Sequence, residues 1–363
     1  MARLRLGVVG IDHFHTTGWV DSLGHFADAI QIVALYDADP EMGRTLRPQF
    51  ADPGLSRALD PRYKALPFYT DLDRMIAEQR LDVALVTLQP ADAPDGIVKL
   101  AAAGIHMLVD KPVTRNAADC RRAADAVRTA GVQCMVGLTN RLVGGWPDMR
   151  GMIQSGRLGR LLAAEALFTT SSVAVRDPKN HLFRTDHHGH GILHWLGCHW
   201  VDALLWVSGE RIVEVQAMSA NVLGEKIDVE DAMSVAFRFA GGGLGTIHFV
   251  NAFPRPNSDG YLAFRGVKGS VKVDSGGVLS FVGPGSRENP LLTEERTYGF
   301  TDPGGYGPSA LVAIDSLLTA VRTGADTPVT LDDMARALEV IDAAYASADA
   351  GGSRVAIPER ATG

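Results

Sequence analysis

The densest chemistry in the chain lies between His181 and Asp202, HLFRTDHHGHGILHWLGCHWVD, which holds six of the eleven histidines. Imidazole titrates close to neutrality, so such a cluster suits proton transfer, metal ligation or hydrogen bonding within a core. On a continuous helix, Trp195, His199 and Asp202 share one face, and His190–His194 and His194–Cys198 form i, i+4 pairs. Two imidazoles one turn apart can chelate zinc. The segment lacks HExxH and holds no glutamate, which weighs against a metal, and no metal is expected. Two other readings stand beside zinc: buried structural histidines, and His199 as an acid/base with Trp195 as a flat wall next to it.

Three other places carry chemistry. Gly7-Val-Val-Gly10-Ile-Asp12-His13-Phe14-His15 reads as a strand followed by a tight turn. Gly10 occupies the first glycine of a GxGxxG loop, whose backbone amides cradle a pyrophosphate at a helix N-terminus. Asp12 and His15 stand at the second and third glycine positions. Asp37 ends the next apolar run, where a carboxylate accepts from ribose hydroxyls, and no Arg follows directly to hold a 2′-phosphate. That combination favours NAD over NADP. Asp110-Lys111-Pro112 ends a further apolar run.

The elements that must position these residues follow from hydrophobic periodicity. Apolar runs Leu4–Val9, Ile32–Tyr36, Val83–Leu88, Ile105–Val109 and Val132–Val136 predict buried strands. Between them the pattern predicts helices over about 17–30, from Asp39 with Pro40 at its first position, from Thr70 to about 79, over 94–103, and over 116–130. Residues 51–66 read as a surface excursion. Strand and helix in alternation imply a doubly wound α/β domain with a parallel sheet. Its ligand crevice lies outside the carboxyl ends of the strands, so Thr87, Leu88 and Gln89 join the Gly10–His15 loop, Asp37, Asp110 and Lys111 as cofactor-site candidates. After residue 140 the pattern becomes alternating: 161–169, 212–219, 232–239, 244–251, 261–266 and 270–273 predict an antiparallel sheet. Helices are expected over 149–155, 189–207, 308–322 and 331–348, with 283–307 as a long loop. The expected division is 1–137 for the first domain and 138–363 for an α+β second domain, whose C-terminal helices pack back on the first.

Composition bounds the rest. The 363 residues are 46% hydrophobic and 21% charged, with mean hydropathy +0.04, which fits folded globular domains rather than disorder. A net charge of −7 argues against nucleic acid or an anionic membrane as the main partner. Cys120, Cys134 and Cys198 form no CxxC, so neither a disulfide framework nor a Cys-rich zinc module is expected, and a reducing cytoplasm fits. Neither a signal-peptide core nor a long apolar span is evident.

These residues, in their order, resemble the Gfo/Idh/MocA oxidoreductases, named for glucose–fructose oxidoreductase and inositol dehydrogenase. Asp110-Lys111-Pro112 is similar to the family's Glu-Lys-Pro, and Val136-Gly137-Leu138-Thr139-Asn140-Arg141 to its Val-Gly-Phe-Asn-Arg-Arg. Gly189-x-Gly191-x-Leu193-x3-Gly197-x-His199-x2-Asp202 fits its GGGxLxDxGxHxxD. Ser155–Gly159, Asp228–Asp231, Gly245-Thr246 and Tyr345–Ser347 resemble further landmarks, so the likeness runs nearly end to end.

The resemblance implies an NAD(P)-binding Rossmann domain, an open-faced sheet domain, and oxidation or reduction of a ring hydroxyl of a sugar, cyclitol or related polyol. It implies Lys111 at the nicotinamide ribose and substrate hydroxyl, and His199 as the catalytic histidine. Trp195, His194, Arg184, Asn140 and Arg141 are the candidate substrate contacts. Trp195 stands where the family has Asp, which removes a carboxylate from the catalytic pair, and Ala91 and Ala93 replace histidines common after the fourth strand. A homodimer or homotetramer is expected. Two alternatives come from other classes: an NAD-dependent glycosidase or lyase that oxidises only transiently, and a nucleotide-sensing protein without catalysis.

Overall fold

The computed structural model describes residues 2–48, 58–222, 227–251, 259–284, 293–299 and 307–359, without the side chains of Val175, His187 and His188. Residues 51–57 of the expected excursion, and most of the expected loop 283–307, lie outside this description.

In the first part of the chain the order is β1 (Leu4–Val9), α1 (Thr16–Leu23), β2 (Ile30–Tyr36), α2 (Pro40–Thr45), β3 (Phe68–Tyr69), α3 (Leu72–Gln79), β4 (Val83–Val86), α4 (Ala93–Ala102), β5 (His106–Val109), α5 (Ala117–Ala130) and β6 (Cys134–Val136). Then follow α6 (Gly145–Gln154), β7 (Leu161–Thr169), single turns at Ser172–Val175, Thr185–His188 and Ile192–Trp195, and α7 (Gly197–Ser208). Strands β8 (Ile212–Ala220), β9 (Ala232–Phe239), β10 (Leu244–Val250), β11 (Asp259–Gly266), β12 (Gly269–Asp274), β13 (Val278–Val282) and β14 (Thr293–Thr297) precede α8 (Gly307–Thr323), α9 (Leu331–Asp349) and β15 (Val355–Ala356).

Two compact units result, each built from discontinuous stretches. The first unites Met1–Thr139, Lys179–Gly189 and Thr301–Ala335; the second takes Asn140–Pro178, His190–Phe300 and Arg336–Gly363. In the first unit a six-stranded sheet runs β3-β2-β1-β4-β5-β6, with every pair parallel. This is the doubly wound order whose direction reverses between β1 and β4. Strands β4 and β5 are apolar and buried almost throughout, as strands covered on both faces must be. Helix α8 packs on α1, β5 and β6. Helices α2 and α5 start at side-chain caps: Asp39 accepts from the Glu41 amide, and Asn116 from the Asp119 amide.

Some expected boundaries move for local reasons. The helix expected to reach residue 30 ends at Leu23, because Ala29 already accepts from the Leu4 amide and opens the β2 ladder. Asp71, not Thr70, caps α3, since its carboxylate reaches the Arg74 amide. Helix α6 begins at Gly145, where its glycine fits against Val273, a contact for which a Cβ leaves no room.

The second unit holds a nine-stranded sheet, β14-β13-β12-β11-β7-β10-β9-β8-β15, antiparallel except for β7 beside β10. Alternation along β9 and β10 sends Val235, Phe237, Phe239, Ile247 and Phe249 inward, and leaves Ser234, Ala236, Thr246 and His248 on the outer face. The inner face meets α6 and α7, with Trp200 packed against Trp146, Phe168 and Phe249. Part of the expected loop 283–307 is strand: Thr293–Thr297 pairs antiparallel with β13. The polar sequence TEERT hid it, as befits an edge strand that is mostly exposed.

Candidate active site

In the first unit the cofactor-site candidates converge where the sheet order reverses. Gly10, at the end of β1, has φ +98°, and a Cβ there falls 2.8 Å from the backbone of Thr87 and Leu88. Glycine is required by both conformation and space. The Thr87 hydroxyl donates to the Gly10 carbonyl at 2.6 Å, and the Gln89 amide to the Asp12 carbonyl at 3.2 Å, so the β4 end holds the β1 loop. Asp37 is buried at the end of β2. Its Oδ2 accepts from the amides of Ile11 (2.7 Å) and Asp12 (3.0 Å), and its Oδ1 from the Asp39 amide. The carboxylate thus stands against the β1 loop, and its negative charge suits free ribose hydroxyls better than a 2′-phosphate. Gly10 and Asp37 together fit NAD.

The loop itself is unusual. His13 and Phe14 stack at 4.7 Å between ring centroids, and both meet the ring of His181 from the stretch 179–189 of the same unit. Asp110, buried at the end of β5, accepts from Trp19 Nε1 on Oδ1 at 2.9 Å and meets His15 Nδ1 on Oδ2 at 2.8 Å. His13 Nδ1 accepts from the His15 amide. Burial pushes the Asp110 carboxyl up, but His15, His13 and Lys111 outweigh it and hold the group well below the usual carboxylate range. Burial holds the His13 imidazole well below its ordinary value, against the pull of Asp110. His13, His15 and Asp110 place one donor atom each within 4.8 Å of one another, the grouping among the described residues with the spacing of metal ligands. It does not involve the 181–202 histidines that prompted the zinc reading, and its atoms are engaged in the hydrogen bonds just given. Lys111 is buried directly after Asp110.

Arg184 also belongs to the first unit and is exposed, with its guanidinium on both carboxylate oxygens of Asp186.

The second unit gathers Asn140, Arg141, His194, Trp195 and His199. The expected helix over 189–207 is broken: Ile192–Trp195 is a single turn, and α7 starts afresh at Gly197. The extension of the His199–Asp202 face back to Trp195, and the i, i+4 spacing of His194 and Cys198, cross this break; His199 and Asp202 remain together on α7, and the rings of His190 and His194 still meet edge to face at 6.2 Å. Gly197 makes the break close-packed, since a Cβ there falls 2.8 Å from the Phe249 ring. His194 is fully buried, and His199 and Trp195 are nearly so. The Arg176 guanidinium lies over the Trp195 ring at 5.2 Å, so one face of the expected wall is covered within the protein. Arg141, expected at substrate, donates through Nε to Asp202 Oδ2 at 2.7 Å and through Nη2 to Oδ1.

Sequence reasoning does not single out Trp19 or Arg176; it counts His181 only within the 181–202 cluster, and Glu230 only as part of a landmark. Trp19 gives no signal beyond an apolar position on α1. Glu230 lies in the Asp228–Asp231 landmark, yet nothing in its spacing ties it to residues 190–195.

Comparison with known proteins matches residues 4–138 to the oxidoreductase family with an NAD-binding Rossmann fold, and residues 146–272 to the GFO/IDH/MocA C-terminal domain. The chain is 25% identical over 248 residues to a myo-inositol 2-dehydrogenase of Thermotoga maritima, covering 67% of each. Among solved structures, an oxidoreductase domain protein from Kribbella flavida superposes with TM-score 0.83 at 21% identity, covering 99% of this chain and 100% of that one. A levoglucosan dehydrogenase in complex with NADH and levoglucosan gives TM-score 0.80 at 19% identity over the same shares. The two structural likenesses carry the fold through both units.

Proposed function

Since this chain belongs to the GFO/IDH/MocA family of NAD-binding oxidoreductases, we propose that it moves a hydride between nicotinamide and a ring hydroxyl of a cyclitol or sugar. The observation that carries this is the convergence of Gly10, Asp37, Asp110 and Lys111 at the carboxyl ends of a parallel sheet, at its reversal point. The coenzyme supplies the hydride acceptor. Asp37 holds the adenosine ribose through its hydroxyls. Lys111 stabilises the oxygen of the reacting carbinol as it becomes an alkoxide. His199 takes the hydroxyl proton. The inositol and levoglucosan names among the relatives support a cyclic polyol as substrate.

A screen of cyclitols, sugars and glycosides with NAD tests this, following NADH absorbance and released aglycone together. Steady accumulation of NADH with a cyclic polyol is expected. Aglycone release with no accumulation identifies instead a glycosidase working by transient oxidation.

The protein acts in the cytoplasm as a homo-oligomer in this reading. The outer face of the nine-stranded sheet exposes Met218 and Leu244 among small and polar residues, a broad mixed face that a second subunit would cover. Among the described residues no helix is long and apolar enough to cross a membrane. Light scattering at micromolar concentration is expected to give a dimer or tetramer; a stable monomer counts against it.

A further inference from the structure

A half-buried carboxylate in the second unit has no part in the chemistry above. Glu230, just before β9, accepts from the Gly191 amide at 2.8 Å through Oε2. Its Oε1 accepts from the Tyr345 hydroxyl at 2.6 Å and from the Leu193 amide at 3.4 Å. Tyr345 comes from α9, and the ring of His190 lies flat on it, 3.7 Å between centroids and 10° from parallel. The fit at Gly191 excludes any side chain, since a Cβ there falls 2.2 Å from the Glu230 carbonyl oxygen and 2.7 Å from Oε2. The Gly191 carbonyl in turn accepts from the amides of His194 and Trp195, both at 3.1 Å. The turn continues through Leu196, whose carbonyl accepts from the His199 amide.

A four-residue turn has only a few hydrogen bonds of its own, and its leading amides, Gly191 and Leu193, must find partners elsewhere. Here the partner is a carboxylate, the stronger kind of acceptor. Burial raises the pKa of Glu230, while the Tyr345 hydroxyl and the Gly191 and Leu193 amides lower it. Burial pushes the Tyr345 hydroxyl well above its ordinary value and Glu230 reinforces this, so the phenol stays protonated and donates.

We propose that Glu230 and Tyr345 are positioning residues that fix the Gly191–Trp195 turn and, through it, the placement of His194 and His199. This rests on the reading of His199 as the proton acceptor. A misplaced acceptor lowers the chemical step, and an error of about 1 Å costs up to about 100-fold.

The test uses the full-length protein with Glu230→Ala, Glu230→Gln and Tyr345→Phe. Gln keeps an oxygen for the Gly191 amide and turns its NH2 to the Tyr345 oxygen. Three readouts are taken: kcat and KM on the best polyol from the screen, NADH affinity, and side-chain 15N spectra of histidine-labelled protein. The signals of His194 and His199 are assigned with His194→Gln and His199→Gln. Expected are a 10- to 100-fold loss of kcat in Glu230→Ala, about 10-fold in Tyr345→Phe, unchanged NADH affinity, and displaced His194 and His199 signals. Glu230→Gln is expected within about threefold of the parent. If Glu230→Ala does not fold, Tyr345→Phe decides alone. Unmoved histidine signals, or turnover per folded molecule equal to the parent, overturn the proposal. If the parent protein oxidises no polyol, the proposed function fails, and the histidine signals alone decide on the clamp.

Discussion

Arg141 grips Asp202 at two points inside the second unit, with both side chains almost wholly removed from solvent. The same guanidinium lies over the Trp206 ring, 5.6 Å from its centroid. The pair ties the start of the second unit to the helix that carries His199. Breaking a buried ion pair from one side strands a charge in low dielectric. Asp202→Ala is expected to destabilise the protein by about 3–5 kcal/mol, read by urea denaturation with the change assigned to the second unit by Trp fluorescence. The double substitution Arg141→Met, Asp202→Leu is expected to recover much of that loss. A neutral Asp202→Ala overturns the assignment.

The coenzyme is expected to be NAD in preference to NADP. Asp37 at the β2 end repels a 2′-phosphate, and its Oδ2 already holds the Ile11 and Asp12 amides. Kinetics with both coenzymes check this, and a clear NADP preference refutes it. Asp37→Asn is expected to narrow the ratio, mainly through weaker NAD binding.

Lys111→Ala and His199→Ala are each expected to lower kcat by roughly 10²–10⁴-fold in a protein that still folds. Trp195→Phe should raise KM more than it lowers kcat, because a wall binds ground and transition states about equally. Near-parental turnover in His199→Ala moves the proton acceptor to His194.

Dialysis against a chelator is expected to leave turnover intact. His13, His15 and Asp110 use their donor atoms on one another and on Trp19, a network complete without an ion. Loss on chelation with rescue by zinc would assign that trio to a metal.

Stability is expected to fall as pH drops below about 6.5, the value at which His13 titrates in the unfolded chain. Burial keeps the folded imidazole neutral well below that point. The unfolded state then binds a proton that the folded state refuses, so acid favours unfolding. Urea midpoints between about pH 7 and pH 5 measure the slope, and His13→Phe is expected to flatten it. Equal slopes in the two proteins remove His13 as the cause.

The parallel sheet was legible because its strands are unbroken apolar runs and its turns carry Asp39, Asn116 and Gly131 at capping positions. The cofactor corner was legible from strand ends alone, since Gly10, Asp37 and Lys111 each close an apolar run. The 189–207 segment misled because its apolar and histidine spacing suits a continuous helix, while the break depends on Phe249 and Glu230, distant in sequence. Strand β14 was hidden for the opposite reason. Its residues TEERT follow no apolar alternation, and only pairing with β13 makes them a strand.

The first unit has a consequence for how the molecule is made. Its surface is closed by residues near the far end of the chain: the Thr327 hydroxyl donates to the Cys134 carbonyl, the Val136 amide to the Val329 carbonyl, and Asp332 pairs with Arg121 and Arg128. Helix α8 lies on α1, β5 and β6. During synthesis residues 1–139 precede these partners by about two hundred residues, so the closing contacts form only after that stretch has been made. Until then the flank of β5 and β6 that α8 covers stands open.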